Sequence, residues 1–276
     1  MEKVSAFLRR KDIVFSPKRY FIDAMSAMAQ GLFCTLLVGT ILNTLGTQLH
    51  IGFLTDIIVT LGKGDGAVRY TIGGLCSAMV GPGMAVAIGQ ALNAPPMVLF
   101  SLIPVGFATN AMGGAGGPLA VLFVAIIAAE IGKAVSKETK IDILVTPIVT
   151  ILSGIGAAAL IAAPIGTAAS AVGKAIMWAT ELQPFFMGII VSVVIGIALT
   201  LPISSAAICA ALGLTGLAGG AAVAGCCAQM VGFAVMSFRE NRWGGLAAQG
   251  LGTSMLQMGN IVRNPRIWIP PTLASA

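Results

Sequence analysis

Four polar residues, Gln249, Thr253, Gln257 and Asn260, recur at intervals of four, four and three in the stretch "GGLAAQGLGTSMLQMGNIV". Neutral amides and hydroxyls both donate and accept hydrogen bonds. A row of them is chemistry for holding a hydroxyl-rich solute rather than for breaking a bond. On one helix, at about 100° per residue, the four fall within about 80° of each other. Leu251, Met255, Met258 and Val262 take the opposite side. Gly245, Gly252 and Gly259 run along one edge and Gly250 lies at the other, with Leu246 and Leu256 on or beside the stripe. A glycine-edged polar face admits a ligand or a second backbone. It equally describes a seam between membrane helices, where small residues pack and amides bond across. Either way the face points inward.

Further candidates lie elsewhere. Gln229 shares a helical face with Ala222, Gly225 and Gly232. Asn110 precedes "AMGGAGG" and Asn93 precedes "APP"; both read as caps or turns of broken helices, with solute contact as the sharper alternative. Asn264 stands before Pro265, which disfavours a helix through it. Glu130, three residues before Lys133, is either half of a snorkelling ion pair or a buried carboxylate able to bind a proton or a sugar hydroxyl. The solute-binding candidates are therefore Asn110, Glu130, Gln229, Gln249, Thr253, Gln257, Asn260 and Asn264. Arg263 and Arg266 keep an anionic solute open.

Catalytic and metal chemistry finds little support. The single histidine, His50, has no placed partner, and "GKGDG" lacks the second half of a phosphate loop. Cys34, Cys76, Cys209, Cys226 and Cys227 all lie in apolar stretches and read as small buried residues, not zinc ligands. No catalytic residue, metal or cofactor is expected.

The elements that position these groups must cross a membrane. The chain is 57% hydrophobic and only 9% charged, with mean hydropathy +0.95, against about 25% charged in soluble domains. Residues 71–129 and 182–238 are long enough for at least two crossings each, at about 20 residues per helix, and contain no Asp, Glu, Lys, Arg or His. Basic residues cluster between apolar spans, as in cytoplasmic loops touching anionic lipid, and a nucleic-acid partner is not expected. The head, residues 1–20, reads as a cytoplasmic interfacial amphipathic segment broken at Pro17. Residues 21–276 read as a single transmembrane domain of roughly seven crossings plus half-helices. The expected pieces include a half-helix over Ile51–Leu61, a break at "GPG" (Gly81–Gly83) and a short Pro96–Thr109 helix. A re-entrant Pro164–Thr180, a plainly lipid-facing Phe185–Leu201 and one last helix over Gly244–Val262 complete them. Interrupted apolar helices around a midplane site are a transporter signature. "GLCSAMVG" (Gly74–Gly81) and "GCCAQMVG" (Gly225–Gly232) hint at an internal duplication.

The stretches "KRYFIDAMSAMAQGLF", "NAMGGAGGP", "AEIGKAVSKETKIDI", "LQPFFMGIIVSVVIGIALTLPISSAA", "GCCAQMVGFAVMS" and "GLGTSMLQMGNIVRNPRIWIPPTLASA" together resemble one bacterial family, the enzyme-IIC-like membrane proteins of the phosphotransferase system, PfoR-type. The resemblance implies an all-α, homodimeric membrane domain of the bacterial cytoplasmic membrane, with interrupted helices and re-entrant hairpins around a sugar-sized cavity. It implies a sugar-like solute and separate cytoplasmic IIB and IIA proteins that would carry out phosphorylation, since this chain has no phosphotransfer residue of its own. It also implies a Gly-rich apolar continuation after "PPTLASA", so that 21–276 would be a C-terminally truncated domain. Three functions compete: a permease moving a small polar solute by alternating access, a membrane sensor signalling to a cytoplasmic partner, and a scaffold without a ligand site.

Overall fold

The computed structural model describes residues 2–62, 67–180, 184–201 and 216–276; for residues 2–5, 115, 169–170, 172–180 and 184 the backbone alone is described. Glu181, Ser204, Ser205, Cys209 and most of "GKGDG", and the side chains of Lys174 and Trp178, lie outside the described set.

An amphipathic helix, α1 (Glu2–Arg10), precedes the first span, α2 (Lys18–Gln48), whose backbone widens into π turns at Lys18–Asp23 and Phe33–Leu37. One helical turn, Gly52–Thr55, leads to a hairpin of β1 (Val59–Leu61) and β2 (Val68–Tyr70), paired antiparallel with Val59 opposite Tyr70. The half-helix or interfacial helix expected over Ile51–Leu61 is therefore cut to the single turn Gly52–Thr55, and its last three residues are strand. Its β-branched run Ile57–Thr60, followed by glycines and then Val68–Tyr70, is a hairpin pattern.

The chain returns through α3 (Ile72–Ala78) and α4 (Val80–Ala91), which meet at a 52° bend. The break falls at Met79, ahead of the expected Gly81–Gly83. The reason is Pro82: a proline ring excludes the carbonyl four residues earlier, here that of Ala78. Gly81 and Gly83 do something else. A Cβ on Gly81 would strike the carbonyl oxygen of Gly106, and one on Gly83 would lie 2.7 Å from Thr35 Cγ2. These are close helix crossings, and small residues make them possible.

Helix α5 (Pro96–Gly113) is longer than the expected Pro96–Thr109 and carries Asn110 in its last turn. A 3-10 turn at Gly114–Gly116, with Gly114 at φ +51°, joins it to α6 (Gly117–Val135). Helix α7 runs unbroken from Asp142 to Thr180 through Pro147 and Pro164. The expected re-entrant Pro164–Thr180 is thus a continuation of the same helix. Packing holds it together: a Cβ on Gly166 would sit 2.8 Å from the Gly113 oxygen, so the stretch beyond Pro164 is pinned to the end of α5. Helices α8 (Pro184–Thr200) and α9 (Gly216–Met236) follow. The outer end of α8 meets lipid through Phe185 and Phe186, but Val191, Ile195 and Ala198 are buried against α9, so only part of this helix is lipid-facing.

The single last helix expected over Gly244–Val262 is broken. It comprises α10 (Phe238–Ala247, kinked at Arg242 with φ 50°), a π turn at Ala248–Gly252, extended Thr253 (φ −154°, ψ 140°), a 3-10 turn at Ser254–Gln257 and α11 (Met258–Arg263). Asn264 is extended, as Pro265 requires, and the chain closes with a 3-10 turn at Pro265–Trp268 and α12 (Ile269–Ala274). The two repeat-like octapeptides differ in shape: Gly74–Gly81 spans the 52° bend, whereas Gly225–Gly232 lies within unbroken α9. The four described cysteines are not core residues either; Cys34 and Cys227 are exposed and Cys76 and Cys226 half-buried.

Five helices among the described residues are long and apolar enough to cross a membrane, and the bent α3–α4 pair makes a sixth. This is an all-α integral membrane protein. In lipid each backbone polar group must find its partner inside the chain, which favours helices for these runs. The main core joins α2, α4, α5, α6 and α7 through Met28, Met84, Ile88, Leu102, Val105 and Leu122, all fully buried. Phe233, Met255, Met258 and Ile261 tie the C-terminal part to it. Large apolar side chains such as Phe100, Leu152 and Leu160 point outward, toward lipid.

Candidate functional site

Three interruptions of regular helix converge on one cavity of ≈ 310 Å³. Ser77 and Val80 flank the Met79 bend; Asn110, Gly114 and Pro118 flank the α5–α6 break; Gly252, Thr253 and Met255 flank the break after α10. Leu32, Leu36 and Thr40 of α2 and Leu199 of α8 complete the wall. This size lies at the lower end of small-molecule sites, about 300–1,000 Å³. Among the described lining residues none is charged. Most of their hydroxyls are already engaged. Thr40 donates to the Leu36 carbonyl at 2.8 Å and Ser77 to the Gly73 carbonyl at 3.0 Å, leaving acceptor capacity facing the cavity. Thr253 Oγ1 accepts the Met255 N–H at 3.2 Å, capping the turn that follows the break. Asn110 makes no side-chain hydrogen bond among the described residues. Its Oδ1 lies so close to Gly117 that a Cβ there would stand 2.6 Å away.

The other amides go elsewhere, because the break at Thr253 destroys the single polar stripe. Gln249 is buried and donates to Ser237 Oγ at 3.0 Å, with its Oε1 left without a partner. Gln257 accepts from Asn260 Nδ2 at 2.8 Å, and the pair lines a second cavity of ≈ 320 Å³ with Ser237, Glu240 and Asn241. Gln229 is fully buried between α9 and α12, donating to Thr272 Oγ1 at 3.1 Å, and its Oε1 has no partner among the described residues. A Cβ on Gly196 would lie 2.8 Å from its Cγ, so this amide is sealed in the α8–α9 contact. Asn264 is exposed and caps the last 3-10 turn by accepting the Arg266 N–H at 3.3 Å.

Glu130 forms the ion pair expected with Lys133, at 3.0 Å, but it does not snorkel. Lys133 is 2% exposed. Its ammonium also donates to the carbonyls of Asp12 (2.7 Å) and Leu92 (2.9 Å), while Tyr20 donates to Glu130 Oε1 at 3.2 Å. Arg19 bridges the same groups, donating to Asp12 Oδ2 at 2.5 Å and to the Leu92 carbonyl at 2.7 Å. Asn93 donates to Asp12 Oδ2 at 3.0 Å. Asp12 and Asn93 both hold left-handed backbone, φ 52° and 55°, which turns their neighbouring carbonyls into this knot. The Arg19 guanidinium, opposed in part by burial and helped by Asn93, pulls the Asp12 carboxyl down to about 2. A buried charge this well enclosed is a fastening, and it ties the segment after α1 to the α4–α5 turn and the end of α6.

The eight candidates thus separate. Asn110 and Thr253 share the cavity at the breaks, Gln257 and Asn260 share the second cavity, and Gln229, Gln249, Glu130 and Asn264 are engaged outside both cavities. Spacing brought none of Thr40, Ser77, Asp12, Arg19 or Tyr20 forward, and Asn93, expected as a cap or turn, belongs to the polar knot. Serine and threonine beside glycine breaks were the available signal for the first two; the knot is assembled by tertiary packing alone.

A family model described as "Phosphotransferase system, EIIC" matches residues 22–276. No curated protein and no solved structure matches the chain.

Proposed function

Because this chain belongs to the phosphotransferase-system EIIC family, a membrane permease class, we propose that it binds a small, polar, uncharged, sugar-like solute in the cavity at the three helix breaks and carries it by alternating access. The observation that carries this reading is the convergence of the Met79 bend, the Gly114 turn and the extended Thr253 on one uncharged cavity. Irregular backbone at membrane depth is tolerated where protein buries it or where it lines a wet site. An anionic solute in low dielectric would call for paired cations, and the described lining offers hydroxyls and an amide instead. Asn110 supplies the unengaged amide and Thr253 the hydroxyl at the moving joint.

The breaks also offer hinges. Rocking α10 and the Thr253–Gln257 turn against α2 would open the cavity to one side, and the glycine crossings of α2, α4 and α5 would stay as the fixed body. The basic head, with Arg9, Arg10, Lys11, Lys18 and Arg19, supports a cytoplasmic N-terminus, and the family resemblance supports a bacterial membrane. A homodimer and separate IIB and IIA partners complete the reading, the partners supplying the phosphoryl chemistry.

The test is uptake of a panel of labelled monosaccharides and polyols into proteoliposomes holding the full chain. Flux of an uncharged sugar, reduced by Asn110→Ala, is the expected result. Saturable binding without flux would favour a sensor, and neither binding nor flux for any solute would favour a scaffold.

A further inference from the structure

Beside the polar knot, where α1 docks on the α6–α7 turn, a cavity of ≈ 370 Å³ opens. Arg10, Lys11, Lys133 and Lys137 face it against only Asp12 and Glu138. The cations are unevenly committed. Lys133 is buried with its protons directed at two carbonyls and Glu130, so it adds field and no free donor. Arg10 and Lys11 both hold the Glu138 carboxylate, at 2.6 and 2.5 Å, and Lys11 also reaches the Ser136 carbonyl. Lys137 is exposed and forms no ion pair among the described residues. Glu138 is itself on the surface, its carboxyl held below the ordinary range first by the Lys11 hydrogen bond and then by Arg10. It occupies the place an external anion would take, on a side chain free to swing away.

On the other side of the same two segments lies a groove of ≈ 340 Å³ whose wall is almost wholly apolar. Leu8, Ile13 and Phe15 of the head face Ile126, Ile127 and Ile131 of α6 across it. Asp12 of the basic cavity adjoins Ile13 of the groove, and Lys133 adjoins Ala134. Phe15 is 74% exposed, meeting only the edge of the Tyr20 ring among the described aromatic contacts, an apolar side chain left open at the end of the membrane spans. A head-sized cationic cavity beside a chain-sized apolar groove, at the membrane boundary, matches an amphiphile bearing a phosphate.

The geometry points to a bound anionic phospholipid that fastens the N-terminal helix, with its phosphate on Arg10, Lys11 and Lys137 in place of Glu138 and one acyl chain in the Leu8–Ile131 groove. The bond set is ionic and reversible. It goes beyond the solute cavity and stands whether or not that cavity carries sugar.

The experiment titrates the full chain, in a neutral detergent, with dioleoyl phosphatidylglycerol, with dioleoyl phosphatidylcholine and with inorganic phosphate, and counts bound molecules by native mass spectrometry. One phosphatidylglycerol is retained in preference to phosphatidylcholine. Arg10→Gln and Lys137→Gln each weaken it about fivefold, while Lys140→Gln, an exposed cation outside the cavity, leaves it unchanged. Glu138→Gln tightens it, since it frees Arg10 and Lys11. The Lys137 side chain forms no hydrogen bond or ion pair among the described residues, and its backbone N–H bond to Asp142 survives in Lys137→Gln, so an unchanged thermal unfolding midpoint separates lost lipid binding from a folding defect. Equal retention of the two lipids, or equal effects of Lys137→Gln and Lys140→Gln, would overturn the proposal. So would phosphate alone binding as tightly as the lipid, which would make the site one for a free anion.

Discussion

Two polar regions sit inside this apolar chain, and they are built in opposite ways. At the end of α6, Glu130 and Lys133 stand on unbroken helix and are enclosed by groups from Asp12, Tyr20 and Leu92. At the cavity, the helices themselves are broken and Asn110 is left without a side-chain partner. The first region spends its polar groups on one another; the second holds them open. Closed polar networks fasten, and open ones bind or move.

Breaking the closed region should cost most. Lys133→Met leaves Glu130 buried without its cation and should lower unfolding stability by about 3–5 kcal/mol. Thermal unfolding in detergent measures it, and Glu130→Gln with Lys133→Met should recover much of the loss. A double variant as unstable as the single one would mean that the pairing is not what matters. Next comes the packing that both regions lean on. Gly81→Ala drives a methyl into the Gly106 carbonyl and should cost about 1–3 kcal/mol, whereas Gly156→Ala meets nothing within 4 Å and should be neutral or better.

The open region should be gentler. Thr253→Val keeps the extended backbone but removes the hydroxyl that accepts the Met255 N–H, a loss of about 1 kcal/mol of the kind seen at helix caps. Smallest is the acid response of the closed region. Asp12 has its carboxyl depressed to about 2 from an ordinary 3.8, so its contribution is fully present above about pH 4 and fades as pH falls toward 2. The carboxylate is largely exposed, so solvent screening keeps the effect slight. Trypsin cleavage at Arg9 and Arg10 after brief acid exposure should report loosening of α1, and Asp12→Asn should remove the pH dependence.

Much of the frame was legible beforehand. Long uncharged runs reveal membrane spans because lipid leaves few alternatives, and the spacing of Glu130 and Lys133 announces a pair. The depth of that pair was not legible, since Asp12 and Leu92 reach it from sites 121 and 41 residues away. The polar stripe from Gln249 to Asn260 is periodic, and periodicity suggested one helix. Gly252 before Thr253 was the contrary sign, a helix end followed by a capping residue. Proline positions misled in both directions: Pro82 breaks its helix one turn early, whereas Pro164 does not break α7 because Gly166 is held against α5. Local rules state where a helix is weakened, and packing decides whether it gives way.

The most direct test of the contrast is solute binding by two single variants, read as saturable protection of the full chain against thermal unfolding by whichever solute the uptake panel identifies. Asn110→Ala, in the open cavity, should weaken binding about three- to tenfold, the range for one hydrogen bond, while Gln257→Ala, outside it, should leave binding unchanged. Weakened binding in Gln257→Ala with Asn110→Ala unaffected would place the solute in the second cavity and contradict the account.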